Sequence, residues 1–509
     1  MVNDSQKSDG CTVAMKSANK PEGAGAELME RRRPAEGNAD ESCTHRTLSR
    51  ASVTQGLGRV RERAKSRKQE RFTALLHHVD VERLRRAYFA LKRAASPGID
   101  GMTWQQYGES LEANLNELHG RIHRGAYRAL PSKRQYIPKA DGRQRPLGIA
   151  ALEDKAAQRA VVEVLNAIYE VDFLGFSYGF RPKRSQHDAL DALAFGITQR
   201  RVNWIVDADL RSFFDSVSHE WLIRFLEHRI GDERVLRLIH KWLKAGVMEQ
   251  GELTVSKQGT PQGAVASPLL ANVYLHYVFD LWAEQWRKRH AQGAMIIVRY
   301  ADDIVCGFEH ESEARQFMEE VRERLEQFAL SLHPDKTRLV EFGRHAAEHR
   351  AQRGLGKPET FNFLGFTHIC GRSRHGRFQL KRKTRRDRMR MTLRALKSDL
   401  RRCMHRSLPE QGAWLGQMVR GYFAYHAIPT NAERLSAFRH DVVALWRRAL
   451  RRRSQKDGMT WSRIERLSAE FIPVPRIVHP WPDQRFLVKH PRWEPSALIG
   501  PARFCAGGA

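Results

Sequence analysis

Cysteine is scarce in this sequence. Only 6 of 509 residues are cysteines, and no two of them form a Cys-x-x-Cys pair. None has a histidine partner at the spacing of zinc ligands, so a structural zinc site is not expected. Long apolar stretches are missing as well, and the first residues lack the apolar centre of a secretory signal. We therefore expect a soluble protein that does not enter a membrane.

Acidic residues are outnumbered by basic ones. The chain has 58 Asp and Glu against 87 Lys and Arg, a formal net charge of +29 at pH 7. A surplus of this size is typical of a nucleic-acid binder. Phosphate contacts supply affinity without sequence choice and make binding depend strongly on salt. We expect a cytoplasmic protein associated with the nucleoid.

Two adjacent carboxylates stand between short apolar runs. The tetrapeptide Tyr-Ala-Asp-Asp at 300–303 lies between the runs 295–299 and 304–308, a pattern that predicts the tip of a β-hairpin. Mg²⁺ would relieve the repulsion between Asp302 and Asp303, and it prefers one or two protein carboxylates together with substrate phosphates. Phosphoryl transfer is therefore the first reaction that the sequence indicates. The alternative is a solvated turn, because Asp is a common turn residue.

A third acid ends a predicted strand. The aromatic and β-branched segment 204–209 finishes at Asp209 and has the composition of a strand. Two-metal catalysis clamps the attacking 3′-hydroxyl and the leaving pyrophosphate with two ions roughly 4 Å apart, held by carboxylates. Asp209 and the hairpin pair fit these roles. Asp207 lies on the same face of the strand, where it either flanks the site or pairs with a nearby arginine.

The order of these motifs resembles that of bacterial group II intron reverse transcriptases and maturases, from about Phe72 to Arg492. The resemblance implies an α+β fold, with the fingers and antiparallel-sheet palm of a right-hand polymerase followed by an α-helical thumb and maturase domain. It implies an RNA-directed DNA polymerase that adds dNTPs to a primer 3′-hydroxyl with Mg²⁺. The implied partners are a group II intron RNA, whose splicing and retrohoming the protein assists, and a target DNA. A homodimer is one option for its assembly.

The same resemblance assigns roles to individual residues. Asp209, Asp302 and Asp303 would be the catalytic metal ligands. Phe214, five residues after Asp209, would be the aromatic wall that rejects a ribose 2′-hydroxyl, although most Phe residues are core aromatics. Lys336 would protonate the leaving pyrophosphate, and an ordinary surface charge is the alternative.

Two further segments resemble the family's nucleotide-binding parts. The block 258–263 would be the platform for template and nucleotide, where glycines such as Gly263 admit close backbone approach and the Gln262 amide can donate to a base pair. The segment 136–148 predicts two strands joined at an Asp-Gly turn. On this hairpin the resemblance assigns Lys139 and Arg145 to the phosphates of the incoming nucleotide. The alternative for the block 258–263 is an ordinary loop before a helix, and the alternative for the segment 136–148 is a solvated hairpin.

The second half of the chain is rich in basic residues, which dominate 377–406. Trp414, Met418 and Tyr422 recur every four residues, as on one face of a helix. This stripe predicts core packing ahead of RNA stacking, and the basic residues are the better candidates for RNA contact. Upstream, Arg181 either contacts template or packs within its own loop.

Composition and motif order divide the chain into four parts. They are a disordered basic leader (1–65), the fingers and palm (66–375), a helical thumb and maturase domain (376–470) and a short basic C-terminal tail (471–509). Many members of the family end in a zinc-associated HNH endonuclease, and none is expected here. Within the tail, the segment 478–483 either touches DNA or packs under the thumb.

Two alternative functions stay open at this point. One is an RNA-binding maturase without significant polymerase activity, which loss of one of the three carboxylates would have favoured. The other is a retron-like or defence-associated reverse transcriptase. The basic region after Phe366 argues against the second alternative.

Overall fold

The protein has the α+β fold that the sequence predicted. The computed structural model describes residues 56–138, 144–249, 251–255, 258–453 and 458–489. Residues 1–55 of the predicted leader, Lys139, and residues 490–509 of the predicted tail lie outside these ranges. No helix within the ranges is both long and apolar enough to cross a membrane.

Helices make up most of the described chain. They are α1 (56–66), α2 (Val81–Phe89), α3 (Trp104–Glu109), α4 (Leu111–His123), α5 (Leu152–Asp172), α6 (Gln186–Gln199), α7 (Phe213–Ser216), α8 (His219–Glu227), α9 (Glu233–Lys244), α10 (Ser267–Leu275), α11 (Leu281–Arg289), α12 (Glu311–Glu326), α13 (Ala346–Gln352), α14 (Arg386–Arg402), α15 (Leu408–His426), α16 (Ala432–Arg451), α17 (Trp461–Phe471) and α18 (Pro482–Lys489). A 3-10 turn (Leu76–His78) precedes α2, and a π turn (His276–Asp280) joins α10 to α11.

The strands form three sheets. They are β1 (Ser132–Pro138), β2 (Gln144–Ile149), β3 (Trp204–Asp209), β4 (Val247–Glu249), β5 (Glu252–Thr254), β6 (Met295–Tyr300), β7 (Asp303–Phe308), β8 (Arg338–Glu341), β9 (Phe361–Phe363), β10 (Phe366–Arg372) and β11 (Phe378–Thr384). The strand orders are β2-β1-β4-β5 in the fingers, β6-β7-β3-β8 in the palm and β11-β10-β9 before the thumb. The strands β1 and β4 run parallel, and the other neighbours are antiparallel.

The N-terminal helices share one core, and side-chain caps begin α2 and α3. Asp80 accepts from the backbone N–H of Arg83 at the start of α2. Val60 and Ala64 on α1 are buried in the main core. Disorder was predicted as far as residue 65, and that boundary is wrong, because the apolar face of α1 packs against the rest of the fold.

The palm sheet is buried on both faces. Val206 and Ala208 of β3 belong to the main core, whereas Ile205 points into a second core shared with β9 and β10. Since side chains alternate along a strand, Asp207 and Asp209 lie on the Ile205 face. The predicted strand at 204–209 and the hairpin at 295–308 are confirmed.

The thumb is a bundle of α14 to α17, with a core of its own. Tyr422 is buried there, and Trp414 and Met418 pack against it, which confirms the core role of this stripe. The helical domain does not begin at residue 376 as predicted. Residues 378–384 are β11 instead, because Leu380, Arg382 and Thr384 alternate toward the interior while the strand pairs with β10.

The described part of the tail packs against the palm and the end of the thumb. The backbone N–H groups of Val478 and His479 donate to the carbonyl oxygen of Ala427, just after α15. The ring of His479 stacks on His187 of α6 with centroids 4.0 Å apart. Of the two predicted roles for the segment 478–483, the structure shows packing, with α6 as an additional surface.

Candidate active site

The strands β3 and β7 lie side by side and place two acids opposite each other. Asp209 at the end of β3 pairs in register with Asp303 at the start of β7. Asp303 is also opposite Tyr300 across the hairpin, and Asp302 occupies the intervening turn. The three predicted metal ligands are therefore brought to one end of the palm sheet.

Crowding raises the pKa values of the hairpin carboxyls. Burial, followed by the charge of Asp209, raises the pKa of Asp302, and Arg145 and Arg299 oppose this shift. Asp303 is exposed at the start of β7, yet nearby protein atoms desolvate its carboxyl. This crowding and the charges of Asp302 and Asp209 raise the pKa of Asp303. A divalent cation would relieve the repulsion that the three acids exert on each other.

Two basic side chains lie among these acids. The Lys336 Nζ donates to Asp209 Oδ2 at 2.7 Å, with the lysine side chain 48% exposed. Arg338 lies 3.8 Å from Asp207, so the predicted arginine pairing of Asp207 is confirmed. Burial raises the pKa of Asp207 to about 6, and Arg338 opposes the shift. Lys336 therefore neutralises the charge of Asp209 in this structure.

The donor set suits a hard cation that shares its coordination with substrate. Among the described residues, no three His, Cys, Asp or Glu side chains are gathered into a group that could hold a metal ion by themselves. The available donors are the oxygens of Asp209, Asp302 and Asp303, from two neighbouring strands and one turn. Mg²⁺ prefers oxygen ligands and is usually held by one or two carboxylates together with waters and substrate phosphates. The residues present therefore fit Mg²⁺.

Phe214 borders the predicted platform loop. Its ring is half-buried, packs partly on the main core and meets Phe180 edge-on with centroids 6.5 Å apart. The Thr260 N–H donates to the Phe214 carbonyl, and the Gly259 N–H donates to that of Val217, both at 2.7 Å. The loop is thus fastened to the segment that follows β3.

The platform loop also holds the fingers hairpin. The Gly148 N–H donates to the Gln262 carbonyl at 2.6 Å. Gly263, with φ at 109°, lies so close to the backbone of Gly148 that a Cβ on Gly263 would be 3.0 Å from the Gly148 oxygen. The side-chain oxygen of Gln262 is shielded from solvent and has no hydrogen-bond partner among the described residues. Gln262 and Gly263 therefore lie between the fingers hairpin and the loop segment that contacts Phe214.

Arg145 is exposed on β2. Its charge lowers the pKa of Asp302, so the arginine lies within electrostatic reach of the acids. Arg181 is buried, and it donates to the Glu170 carboxylate and to the Leu174 and Ser177 carbonyls. Loop packing, rather than template contact, is the role that these bonds give to Arg181.

Sequence reasoning missed a buried arginine beneath the hairpin tip. Arg299 is 0% exposed and forms an ion pair with Asp280 at 2.6 Å. The available signal was a lone charge inside the apolar strand Met295–Tyr300, because a buried charge needs a buried partner. The partner could not be identified from spacing, since Asp280 lies in the π turn before α11.

A stripe of basic side chains follows one face of α14. Its members are exposed and make no ion pair with any residue that the structure describes: Arg386, Arg390, Arg394, Lys397 and Arg401. Arg388, near the start of the helix, lowers the pKa of Asp303. The basic helix therefore starts close to the acids of the palm.

Comparison with known proteins agrees with this geometry. Residues 137–368 match the family model described as reverse transcriptase (RNA-dependent DNA polymerase). Protein YkfC of Escherichia coli K12 is 35% identical over 323 residues, which cover 57% of this chain and 80% of YkfC. The group II intron-encoded protein LtrA of Lactococcus lactis is 38% identical over 189 residues, covering 37% of this chain but only 31% of LtrA.

A more distant relative comes from another kind of element. The retron Mx162 reverse transcriptase of Myxococcus xanthus is 26% identical over 288 residues, 52% of this chain and 57% of that protein. The intron-encoded relative confirms the resemblance seen in the sequence. With the matched region spanning both the fingers hairpin and the acids of the palm, the chain belongs to the reverse transcriptase family of RNA-directed DNA polymerases.

Proposed function

We propose that this chain extends a primer 3′-hydroxyl with dNTPs on an RNA template, with Asp209, Asp302 and Asp303 as ligands of Mg²⁺. The observation that carries the proposal is the pairing of Asp209 with Asp303 across β3 and β7, next to the Asp302 turn. When bound, Mg²⁺ would supply Lewis-acid stabilisation of the charge on the reacting phosphoryl group.

The neighbouring basic side chains have proposed roles in charge and proton handling. Arg145 binds the triphosphate as a bidentate fork, and its effect on the pKa of Asp302 supports this role. Lys139 is proposed as a second phosphate ligand on the resemblance alone. Lys336 donates a proton to the leaving pyrophosphate once its ion pair with Asp209 opens.

The platform residues have proposed roles in selecting the nucleotide. Phe214 excludes a ribose 2′-hydroxyl, and its half-buried ring beside the platform loop supports this role. Gln262 and Gly263 support the nascent base pair. The unpartnered side-chain oxygen of Gln262 and the close backbone approach at Gly263 support that assignment.

We also propose that the thumb binds a group II intron RNA, assists its splicing and retrohoming, and contributes to target DNA binding. The exposed stripe of α14 supports this proposal, because unpaired cations on one helix face are free to meet phosphates. Lys383 and Arg385 are weaker candidates, since they pair with Glu433 and Asp387 at 2.6 Å. Nucleoid association and a homodimer stay predictions.

The first test is primer extension on an RNA template with dNTPs and Mg²⁺. We expect extension by the wild type and none by Asp302→Ala or Asp303→Ala, while both variants bind the template as tightly as the wild type. The control is Asp441→Ala on the thumb helix α16, which should extend normally. Extension by Asp302→Ala would refute the assignment of the acids.

The second test measures RNA affinity against salt after neutralising four stripe residues to Gln: Arg390, Arg394, Lys397 and Arg401. If each contacts a phosphate, the slope of log affinity against log salt should fall by roughly 3, at about 0.7 per contact. The control neutralises four exposed basic residues on other helices: Arg224, Arg237, Lys288 and Arg315. Equal slopes for the two variants would exclude α14 as the RNA-binding face.

Intron binding also separates the alternative functions. A chain that binds intron RNA tightly without extending primers would be a maturase alone. A chain that extends primers but binds the intron no better than a length-matched RNA would fit the retron-like alternative, the class of the Mx162 relative.

A further inference from the structure

Arg299 is a fully buried cation beneath the hairpin tip that carries Asp302 and Asp303. Its Nε and Nη2 donate to the two carboxylate oxygens of Asp280, each at 2.6 Å. Asp280 is also 0% exposed and ends the π turn, so this irregular turn directs a carboxylate at β6. The pair has the bidentate geometry that makes arginine–carboxylate contacts both strong and directional.

The remaining donors of Arg299 reach two sides of the site. Its Nη1 donates to the Ala301 carbonyl and to the Asn272 Oδ1, each at 3.0 Å. Its Nη2 also donates to the Ser177 Oγ at 2.7 Å. Ala301 precedes Asp302 in the turn, and Asn272 lies on α10, the helix that follows the platform loop. One guanidinium therefore ties the turn of the acids to the helix of the platform.

The turn needs support because its backbone is unusual. Ala301 has φ at 56°, in the left-handed region that residues with a Cβ rarely adopt. Gly179 packs against the same turn so closely that a Cβ there would overlap the Ala301 nitrogen. The Gly179 carbonyl in turn accepts from the Asn272 Nδ2 at 2.7 Å. Arg299 and Gly179 thus hold Ala301 from two directions.

We propose that Arg299, locked by Asp280, is a positioning residue for polymerisation. It keeps the Ala301 turn and α10 in register, so that the metal-binding acids and the nucleotide platform hold a fixed separation. The inference rests on the proposed polymerase function. Lysine cannot replace Arg299, because a single ammonium has no planar fork to reach Asp280, Asn272 and Ala301 together. A shift of about 1 Å in the reacting groups slows such a reaction roughly 100-fold.

Another buried pair offers a matched control. Arg229 donates to Asp172 at 2.8 Å and to three backbone carbonyls, those of Ala64, Arg67 and Glu70. Its side chain is 4% exposed. This pair joins α1 to the end of α5, and none of its described hydrogen bonds reaches the hairpin. It is therefore comparable to the Arg299 pair in burial and bonding but not in location.

The experiment compares two double variants, Arg299→Met with Asp280→Leu and Arg229→Met with Asp172→Leu. Replacing both members of a buried pair leaves neither charge unpaired, so both proteins are expected to fold. In the first we expect the kcat of primer extension to fall roughly 100-fold. Its KM for dNTPs should stay within about threefold. Mn²⁺ binding, followed by the free-ion EPR signal, should weaken. The second should keep the wild-type kcat and Mn²⁺ affinity.

Arg299→Lys provides a second variant that retains the buried charge, and its kcat should fall at least about tenfold. A wild-type kcat in this variant or in the Arg299 double variant overturns the positioning role. An equal loss in the Arg229 control also overturns it, because any buried pair would then have the same effect. The polymerase function is tested separately, by comparing primer extension by the wild type with primer extension by Asp302→Ala. Unchanged Mn²⁺ binding in the Arg299 double variant counts against the inference whether or not the wild type extends.

Discussion

Removing the Asp191 carboxylate is predicted to release the C-terminal segment from the palm. Asp191 lies on α6 with its side chain 2% exposed, and it accepts from the Arg382 Nη1 of β11 at 3.2 Å. It also accepts from the Arg485 Nε of α18. Arg382 is itself 2% exposed, whereas Arg485 is 17% exposed. One buried carboxylate therefore balances two guanidinium groups from other parts of the chain.

The burial of each partner sets the size of the effect. Asp191→Ala leaves Arg382 buried without its counter-charge, which destabilises a protein by about 3–5 kcal/mol. Loss of the Arg485 pair adds about 1 kcal/mol, because that side chain can turn toward water. Replacing Asp191 with Leu and Arg382 with Met removes both buried charges and should recover most of the loss.

Urea unfolding followed by circular dichroism measures these free energies. The control is Asp399→Ala, whose pair with Arg402 spans 3.7 Å between side chains that are 36% and 70% exposed. It should change the free energy of unfolding by about 0.5 kcal/mol or less. A loss below about 1 kcal/mol in Asp191→Ala would refute the reasoning, as would a double variant less stable than the single one.

Two further predictions concern ribose choice and acid sensitivity. Phe214→Ala should raise the ratio of ribonucleotide to dNTP incorporation, measured as kcat/KM, about tenfold or more. The buried neighbour Phe213→Ala should leave that ratio unchanged. Burial, with His479 nearby, lowers the pKa of His187 to about 2, so its contribution to stability is full above about pH 6.5 and is lost as the pH falls below it. In urea unfolding below pH 6.5, the free energy of unfolding of His187→Phe should therefore fall less steeply than that of the wild type, by about 1.4 kcal/mol per pH unit. Parallel pH profiles for the two proteins would contradict this account.

The local elements of the site could be predicted because their signals lie within short segments. The alternating run at 204–209 and the two apolar runs around the Tyr-Ala-Asp-Asp turn each carry a strand pattern in six residues or fewer. Their meeting across the sheet followed from the resemblance, since no spacing rule pairs Asp209 with a residue 94 positions later.

The parts that could not be predicted depend on distant contacts. Arg299 pairs with Asp280, which lies in a π turn 19 positions earlier, and no local spacing rule identifies this partner. The composition of residues 378–384 predicted part of a basic helical region, whereas pairing with β10 makes them a strand. The tail segment gave no local signal for its place, because its partner surface is α6, far earlier in the sequence.

The contact between α18 and α6 also constrains the order in which this protein matures. Arg485 and Asp191 are separated by 294 positions. At synthesis rates of about 5–20 residues per second, Arg485 is made roughly 15–60 s after Asp191. During that interval the face of α6 that α18 later covers stays open to solvent on the ribosome-bound chain. The α6 face is therefore covered only after α18 has been made, and a chain that terminates before α18 would present that face to chaperones and proteases.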